Sequence, residues 1–379
     1  MTTHVFIVDE TTFKCHLNYL FAGTGAKDKD VDFNNCGSSI FYPNKKHAVE
    51  AGLVAMMADV CRIRNNDYII FYLQATSKQE GRFYGIFQVV GDAFLDRNDE
   101  FQFIKSSLHK NLTFRIKIRP YEVYSKGVTE WKALDEIRNI SCPSQMLWSL
   151  IYRKLKGNRG NTMITIYEAE KLNELIRREN GRVPLANTGS YDYLAGSIIC
   201  SRTNYNYTGR QESFNIMPRL IEKYQNRLAH EAHLQMYISQ KLGRDDKLDS
   251  ALGINGMSIE WIGNEVSCGV GMQKIDVMIS AIMNETQRII MPIELKCVHA
   301  SDDNLRQINR YIDWIEQYYI PNRMSAIQPV LICRSGGLNA TLRQKFKNFN
   351  DIAQGKYLPL KYIEYSLQGL NLVFTHIKY

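Results

Sequence analysis

The stretch Lys274–Lys296, KIDVMISAIMNETQRIIMPIELK, constrains the chain most strongly. It reads as two β-strands joined by a polar turn. The first strand carries Asp276, and the second ends Ile293-Glu294-Leu295-Lys296. Side chains alternate along a strand, so Glu294 and Lys296 share a face and Ile293 and Leu295 take the other. Ile289, Ile290, Met291 and Ile293 mark the second strand as buried on at least one face. Two carboxylates and an ammonium in so apolar a strand pair are costly to bury without partners. A divalent metal and a phosphodiester would supply them. Pro292 cannot donate to a ladder, which predicts an edge or a bulge in this strand.

The flanking sequence adds three features. Pro218 stands where a helix can begin, and a single helix is predicted from there with an inward stripe Ile221, Tyr224, Leu228, Glu231, Gln235, Ile238 and Leu242. Glu231 and Gln235 interrupt that apolar stripe, and a carboxylate on a core-facing stripe needs a partner. Downstream, Asp302–Tyr319 has helical spacing through Leu305, Ile308, Ile312, Ile315 and Tyr319, and Gln307 and Tyr311 lie one turn apart on one face. Strands at Pro329–Cys333, Leu358–Tyr365 and Leu370–Thr375 interleave with a helix at Thr341–Phe349, the pattern of an α/β domain.

The chain has 379 residues, enough for two or more domains. Its net charge of +8 favours a polyanionic partner. No run of about 18 apolar residues is present, so no membrane partner is expected. The start MTTHVFIVDETTF has no basic segment followed by a long apolar one, so no signal peptide is expected and the location is expected to be cytoplasmic. The eight cysteines form no CxxC pair and are expected as reduced thiols rather than a zinc site.

Residues 1–142 read as strand-rich, with a strand at His4–Val8, a helix at Lys46–Arg62 and a hairpin formed by Asp67–Leu73 and Arg82–Val90. Leu112–Ile118 is a further strand. Residues 143–215 read as a helical connector and linker, with an amphipathic helix Ile166–Arg178 whose Ala169, Leu172, Leu175 and Ile176 face inward. The basic, glycine-bearing segment Lys154-Leu155-Lys156-Gly157-Asn158-Arg159-Gly160-Asn161 could meet a DNA backbone, as could Arg202 and Arg210. A solvated linker would have the same composition.

Two resemblances follow from these residues. Asn66-Asp67-Tyr68-Ile69-Ile70-Phe71-Tyr72 with Phe83-Tyr84-Gly85-Ile86-Phe87-Gln88-Val89-Val90 resembles the PUA-like superfamily, in particular EVE and YTH domains. That likeness implies a small β-barrel with helices, whose pocket takes a modified or flipped base between aromatic walls. Phe21, Tyr72, Phe83 and Trp131 are candidates for those walls; core aromatics would look the same. In residues 216–379, Glu231-x-x-x-Gln235, Gly269-x-Gly271-x-x-x-Ile275-Asp276, Glu294-x-Lys296 and Gln307-x-x-x-Tyr311 resemble the PD-(D/E)XK nucleases, specifically the RecB-like domain of NucS-type mismatch endonucleases.

The second likeness implies a restriction-endonuclease-like α/β core. Asp276, Glu294 and Glu231 would bind Mg²⁺, with Mn²⁺ expected to substitute. Lys296 would orient water or stabilise charge, and Gln307 and Tyr311 would complete the site. The expectation is therefore a two-domain α+β and α/β chain that hydrolyses double-stranded DNA, with a restriction or defence role by family analogy. A homodimer would supply the two sites that a double-strand break needs. The first segment does not resemble the mismatch family's N-terminal domain, so mismatch- or structure-directed repair stands as the alternative. A non-catalytic nucleic-acid-binding protein is the second.

Overall fold

The computed structural model describes residues 1–25, 47–77, 79–147, 160–268, 273–353 and 355–379. These fall into two compact units, one within Met1–Asp32 and Asp59–Phe214, the other within Phe33–Ala58 and Asn215–Tyr379.

The first unit opens with β1 (Thr3–Val8), α1 (Glu10–Tyr19) and β2 (Phe21–Thr24). Asp9 starts α1 through a reciprocal cap with Thr12. The chain then forms α2 (His47–Cys61), β3 (Tyr68–Leu73), β4 (Arg82–Leu95), α3 (Lys105–Leu108), β5 (Phe114–Pro120), β6 (Val128–Thr129) and α4 (Glu130–Asp135). After residues 148–159, β7 (Asn161–Ile164), α5 (Ile166–Glu179), β8 (Tyr191–Leu194) and β9 (Ser197–Cys200) follow. The strand order is β2-β5-β4-β3-β1-β7, with β6 beside β4. The expected hairpin is β3–β4, pairing Tyr68 with Gln88 and Leu73 with Arg82, with a register shift between Ile69 and Phe71.

Both faces of this sheet are buried. Ile69, Phe71 and Leu73 join a core with Phe6, Phe13 and Tyr84, while Ile70 and Tyr72 join a second with Val5 and Phe83. The strict alternation of a strand explains the split. Leu172, Leu175 and Ile176 of α5 cover the second face, as their spacing predicts. Two expectations need correction. The sheet path ends at β2 and β7, and among the described residues no pairing closes it into a barrel. Residues 143–215 are more than a connector: β7 pairs with β1, and β8–β9 is a hairpin packed through Tyr191 and Tyr193 into the first core.

The second unit takes residues 47–58, most of α2, and continues with α6 (Met217–Gln225), α7 (Glu231–Lys241) and α8 (Asp246–Leu252). The single helix expected from Pro218 is therefore two. Asn226 ends α6, and Arg227 takes a left-handed φ of 54° that no helix continues through. Leu228, assigned to the inward stripe, is exposed in the break.

Next come β10 (Ser258–Ser267), β11 (Lys274–Ile282), β12 (Arg288–Leu295), α9 (Asp302–Trp314), β13 (Ala326–Ile327), β14 (Val330–Arg334), α10 (Ala340–Ile352), β15 (Lys361–Gln368) and β16 (Asn371–His376). The order is β10-β11-β12-β14-β15-β16, with β13 beside β12. β10, β11 and β12 are antiparallel, β12, β14 and β15 parallel, and β16 returns antiparallel. α9 and α10 lie in the crossovers that parallel strands require.

β12 is central, so the edge position expected from Pro292 is also corrected. Its partner on one side changes from β13, which ends at Ile327, to β14, which begins opposite Ile293. Ile290 accepts from Gln328 N on that side, and alternation turns position 292 the same way. The absent N–H of Pro292 thus meets an interruption in the neighbouring strand. Pro292→Ala is expected to change stability by less than about 1 kcal/mol. Met291→Pro removes a donor facing the continuous β11 and is expected to cost about 1–3 kcal/mol; denaturant unfolding of both variants checks this.

Candidate active site

β11 and β12 bring Asp276, Glu294 and Lys296 together. Glu294 is buried, and its Oε1 lies 2.5 Å from the Lys296 ammonium. The Tyr311 hydroxyl, from α9, donates to Glu294 Oε2 at 2.7 Å and also lies 2.9 Å from the Lys274 carbonyl. Asp276 Oδ2 accepts the Leu295 N–H at 2.8 Å. Gln235, from α7, donates its side-chain amide to the Asp276 carbonyl at 2.6 Å. One cavity of about 350 Å³ is lined by Asp276, Leu295 and Cys297 on one side and by His233, Gln235 and Glu231 of α7 on the other.

The electrostatics follow from this crowding. Desolvation, then the negative charge of Glu294, pushes the Asp276 carboxyl well above the usual carboxylate range. Burial alone would lower the Lys296 ammonium, but Glu294 beside it holds it above its ordinary value. Lys296 is therefore a standing cation at neutral pH, not a base. Burial and the neighbouring Glu294 raise the Tyr311 hydroxyl far enough that it remains a proton donor.

The remaining predicted site residues are placed as follows. Glu231 is the exposed first residue of α7, not a mid-helix residue on a core stripe, because the helix starts there. Its Oε1 reaches the Cys297 N–H at 3.4 Å, and its charge acts on both Asp276 and Lys296. Gln307 is half-buried on α9, with Asn304 at 3.5 Å as its hydrogen-bond partner. Gly269 and Gly271 lie outside the described residues, as do Lys154, Lys156 and Arg159.

In the first unit, Tyr72 and Phe83 are fully buried core neighbours, with ring centroids 4.9 Å apart. Phe21 is buried in a different cluster, under Arg115 and Tyr207. Trp131 is 62% exposed on α4. Three of the four aromatics are thus packed into core clusters, and only Trp131 is exposed. Arg210 is engaged by Asp96 and Asp99, so its guanidinium is not free for DNA. Arg202 is exposed.

Among the described residues, no three His, Cys, Asp or Glu side chains are grouped to hold a metal ion. The three-carboxylate set of Asp276, Glu294 and Glu231 is thus not preassembled. Glu294 turns to Lys296 and Tyr311, and Glu231 sits at the cavity rim. Asp276 and Glu294 still suit Mg²⁺, which takes hard oxygen donors and uses one or two carboxylates with water. The mutual charge that raises the Asp276 carboxyl is what a cation relieves.

Sequence reading missed His233, Cys297 and Glu265. Glu265 also lines the cavity, has a φ of 45° in β10 and pairs with Lys274 at 2.6 Å. The register Asn264–Val277 and Val266–Ile275 sets it opposite Asp276. A carboxylate that follows Gly263-Asn264 in a strand is no signal by itself, so only pairing reveals it.

No protein-family model matches the chain, and no curated protein does. Among solved structures, a hypothetical protein from Leishmania major aligns at 12% identity and a TM-score of 0.28, covering 47% of this chain and 96% of that one. A Pseudomonas syringae protein aligns at 12% identity and a TM-score of 0.27, covering 46% and 98%. Human THYN1 protein, solved in complex with DNA containing 5-methylcytosine, aligns at 8% identity and a TM-score of 0.26, covering 46% and 97%. At TM-scores this low, the likenesses carry no argument. No described helix is long and apolar enough to cross a membrane.

The raised Asp276 carboxyl has a defined effect on stability. The folded chain keeps a proton that the unfolded chain loses near the ordinary value of 3.8. Metal-free stability therefore falls as pH rises above that value, by at most about 1.4 kcal/mol per pH unit from this group. Asp276→Asn is expected to flatten that fall. Urea unfolding in a chelator across pH 4–8 measures both.

Proposed function

We propose that the chain is a divalent-metal-dependent DNA endonuclease whose centre is Asp276, Glu294 and Lys296. The observation that carries this reading is the convergence of the Glu294 carboxylate, the Lys296 cation and the Tyr311 donor next to Asp276, which itself lines the cavity. The strand order of the second unit, antiparallel then parallel with helices in the crossovers, is compatible with a restriction-endonuclease-like core. Asp276 and Glu294 would hold Mg²⁺, which lowers the pKa of an attacking water and offsets phosphoryl charge.

The chain's own residues would do the rest. Lys296 keeps its proton and sets a positive charge where negative charge builds on the phosphoryl oxygens. Tyr311 donates to one oxygen of Glu294 and leaves the other toward Lys296, fixing the carboxylate's plane. Gln235 and the Leu295 N–H hold the Asp276 backbone and carboxylate. The first unit, by the PUA-like resemblance of its β3–β4 region, would read a modified base or a sequence in double-stranded DNA. A restriction or defence role accords with that pairing.

Plasmid digestion with Mg²⁺ tests the centre. Asp276→Ala and Lys296→Ala are each expected to lower the cleavage rate at least about 100-fold, and Tyr311→Phe about 10- to 100-fold. Wild-type rates in the first two variants would refute the assignment. A panel of unmodified, cytosine-modified and mismatched duplexes tests the reader: preference for a mismatch in unmodified DNA would replace it with repair. DNA binding is expected to weaken steeply as salt rises. Binding that ignores salt would remove DNA as the partner.

A further inference from the structure

The cavity wall facing Asp276 is braced by α2, a helix that stands far upstream in the sequence. Ala51 lines the cavity itself. The preceding residue, Glu50, is buried and held by three cationic or imidazole groups. Arg219 of α6 donates Nε to Glu50 Oε1 at 2.8 Å and Nη2 to Oε2 at 2.9 Å. Lys223 Nζ, also on α6, lies 3.2 Å from Oε2. His233 Nε2, on α7, lies 2.8 Å from Oε1. A carboxylate can only accept, so Nε2 carries the proton. Arg219 also reaches Glu222 at 2.7 Å.

The start of α7 needs such a brace. His230 precedes it with a φ of −145° and no side-chain cap. The chain reaches it through the left-handed Arg227. His230 secures the entry by bonding the Leu228 carbonyl and the Tyr365 hydroxyl. His233 secures the next half-turn by bonding Glu50. Glu231 and Gln235 stand two residues to either side of His233, and they reach Cys297 N and the Asp276 carbonyl.

We infer that Glu50 and His233 form a positioning link for the candidate nuclease centre, setting α7 so that Gln235 and Glu231 meet Asp276 and the strand end after Lys296. This rests on the nuclease reading of that centre. Neither residue touches a reacting atom. The link also makes the catalytic unit discontinuous in sequence: residues 216–379 lack the helix that fixes their own α7.

The test uses the full chain with three substitutions. His233→Leu keeps bulk and removes the donor, His233→Gln restores a donor of similar reach, and Glu50→Gln removes the charge. Circular dichroism establishes folding, cleavage gives kcat, KM and the Mg²⁺ half-saturation, and electron paramagnetic resonance follows Mn²⁺ binding without any need for activity. His233→Leu is expected to weaken Mn²⁺ binding and to lower kcat or raise the Mg²⁺ requirement by about 10- to 100-fold, with KM for the duplex nearly unchanged. His233→Gln is expected to return within about 5-fold of wild type. If Glu50→Gln does not fold, the two His233 variants decide. A folded His233→Leu chain that cuts and binds Mn²⁺ like wild type overturns the link. So does a His233→Gln chain as impaired as His233→Leu, since that reports lost shape and not a lost bond. Wild-type protein that binds Mn²⁺ but cuts no DNA sinks the nuclease reading alone, and the Mn²⁺ arm then judges the link. Wild-type protein that does neither overturns both.

Discussion

The Glu294 carboxylate lies between two donors, the Lys296 ammonium and the Tyr311 hydroxyl, and the site depends on that arrangement. A carboxylate at this depth is costly unless hydrogen-bonded and paired. β12 supplies the ammonium two residues on, and α9 supplies the hydroxyl. With Glu294 satisfied in this way, Asp276 on β11 is the carboxylate left under strain. It holds a single backbone N–H and sits beside the negative charge of Glu294. The asymmetry separates the two groups chemically. One is bonded at both oxygens by its partners, and the other gains most from an added cation.

The same physics appears on a larger scale around Glu50. Arg219 and Lys223 are both buried, and together they would repel without the carboxylate between them. Breaking a buried pair by removing one partner typically costs about 3–5 kcal/mol, so this cluster commits α6, α7 and α2 to one arrangement. Apolar packing alone would leave the roll of α7 poorly defined, since that helix is buried over most of its length and lacks a strong amphipathic stripe. Directional bonds decide it.

Much of the second unit was legible because strand and helix periods are local. The two strands, the Glu-x-Lys face, the Gln307–Tyr311 spacing and the terminal β-α-β-β order all follow from residues close in sequence. What misled were features whose meaning depends on a neighbour. Pro292 reads as an edge residue until the adjacent strand is seen to break opposite it. Ile221 to Leu242 keeps a helical apolar rhythm across a turn, because rhythm is blind to the one left-handed residue, Arg227, that ends the helix. In the first unit, Tyr72 and Phe83 carry the same aromatic chemistry whether they wall a pocket or fill a core, and burial makes them core.

The sequence by itself determined the strand pair that carries Asp276, Glu294 and Lys296, and the helix face that carries Tyr311, because each is fixed by alternation or by a turn of helix. Tertiary structure alone decided which groups those residues meet. It moved Glu231 from a core stripe to the exposed start of α7. It set Glu265 opposite Asp276 and brought Glu50 of α2 against His233 of α7. The reason is that a buried charge is satisfied by whichever partner the fold brings within hydrogen-bond reach. That partner can come from any distance along the chain.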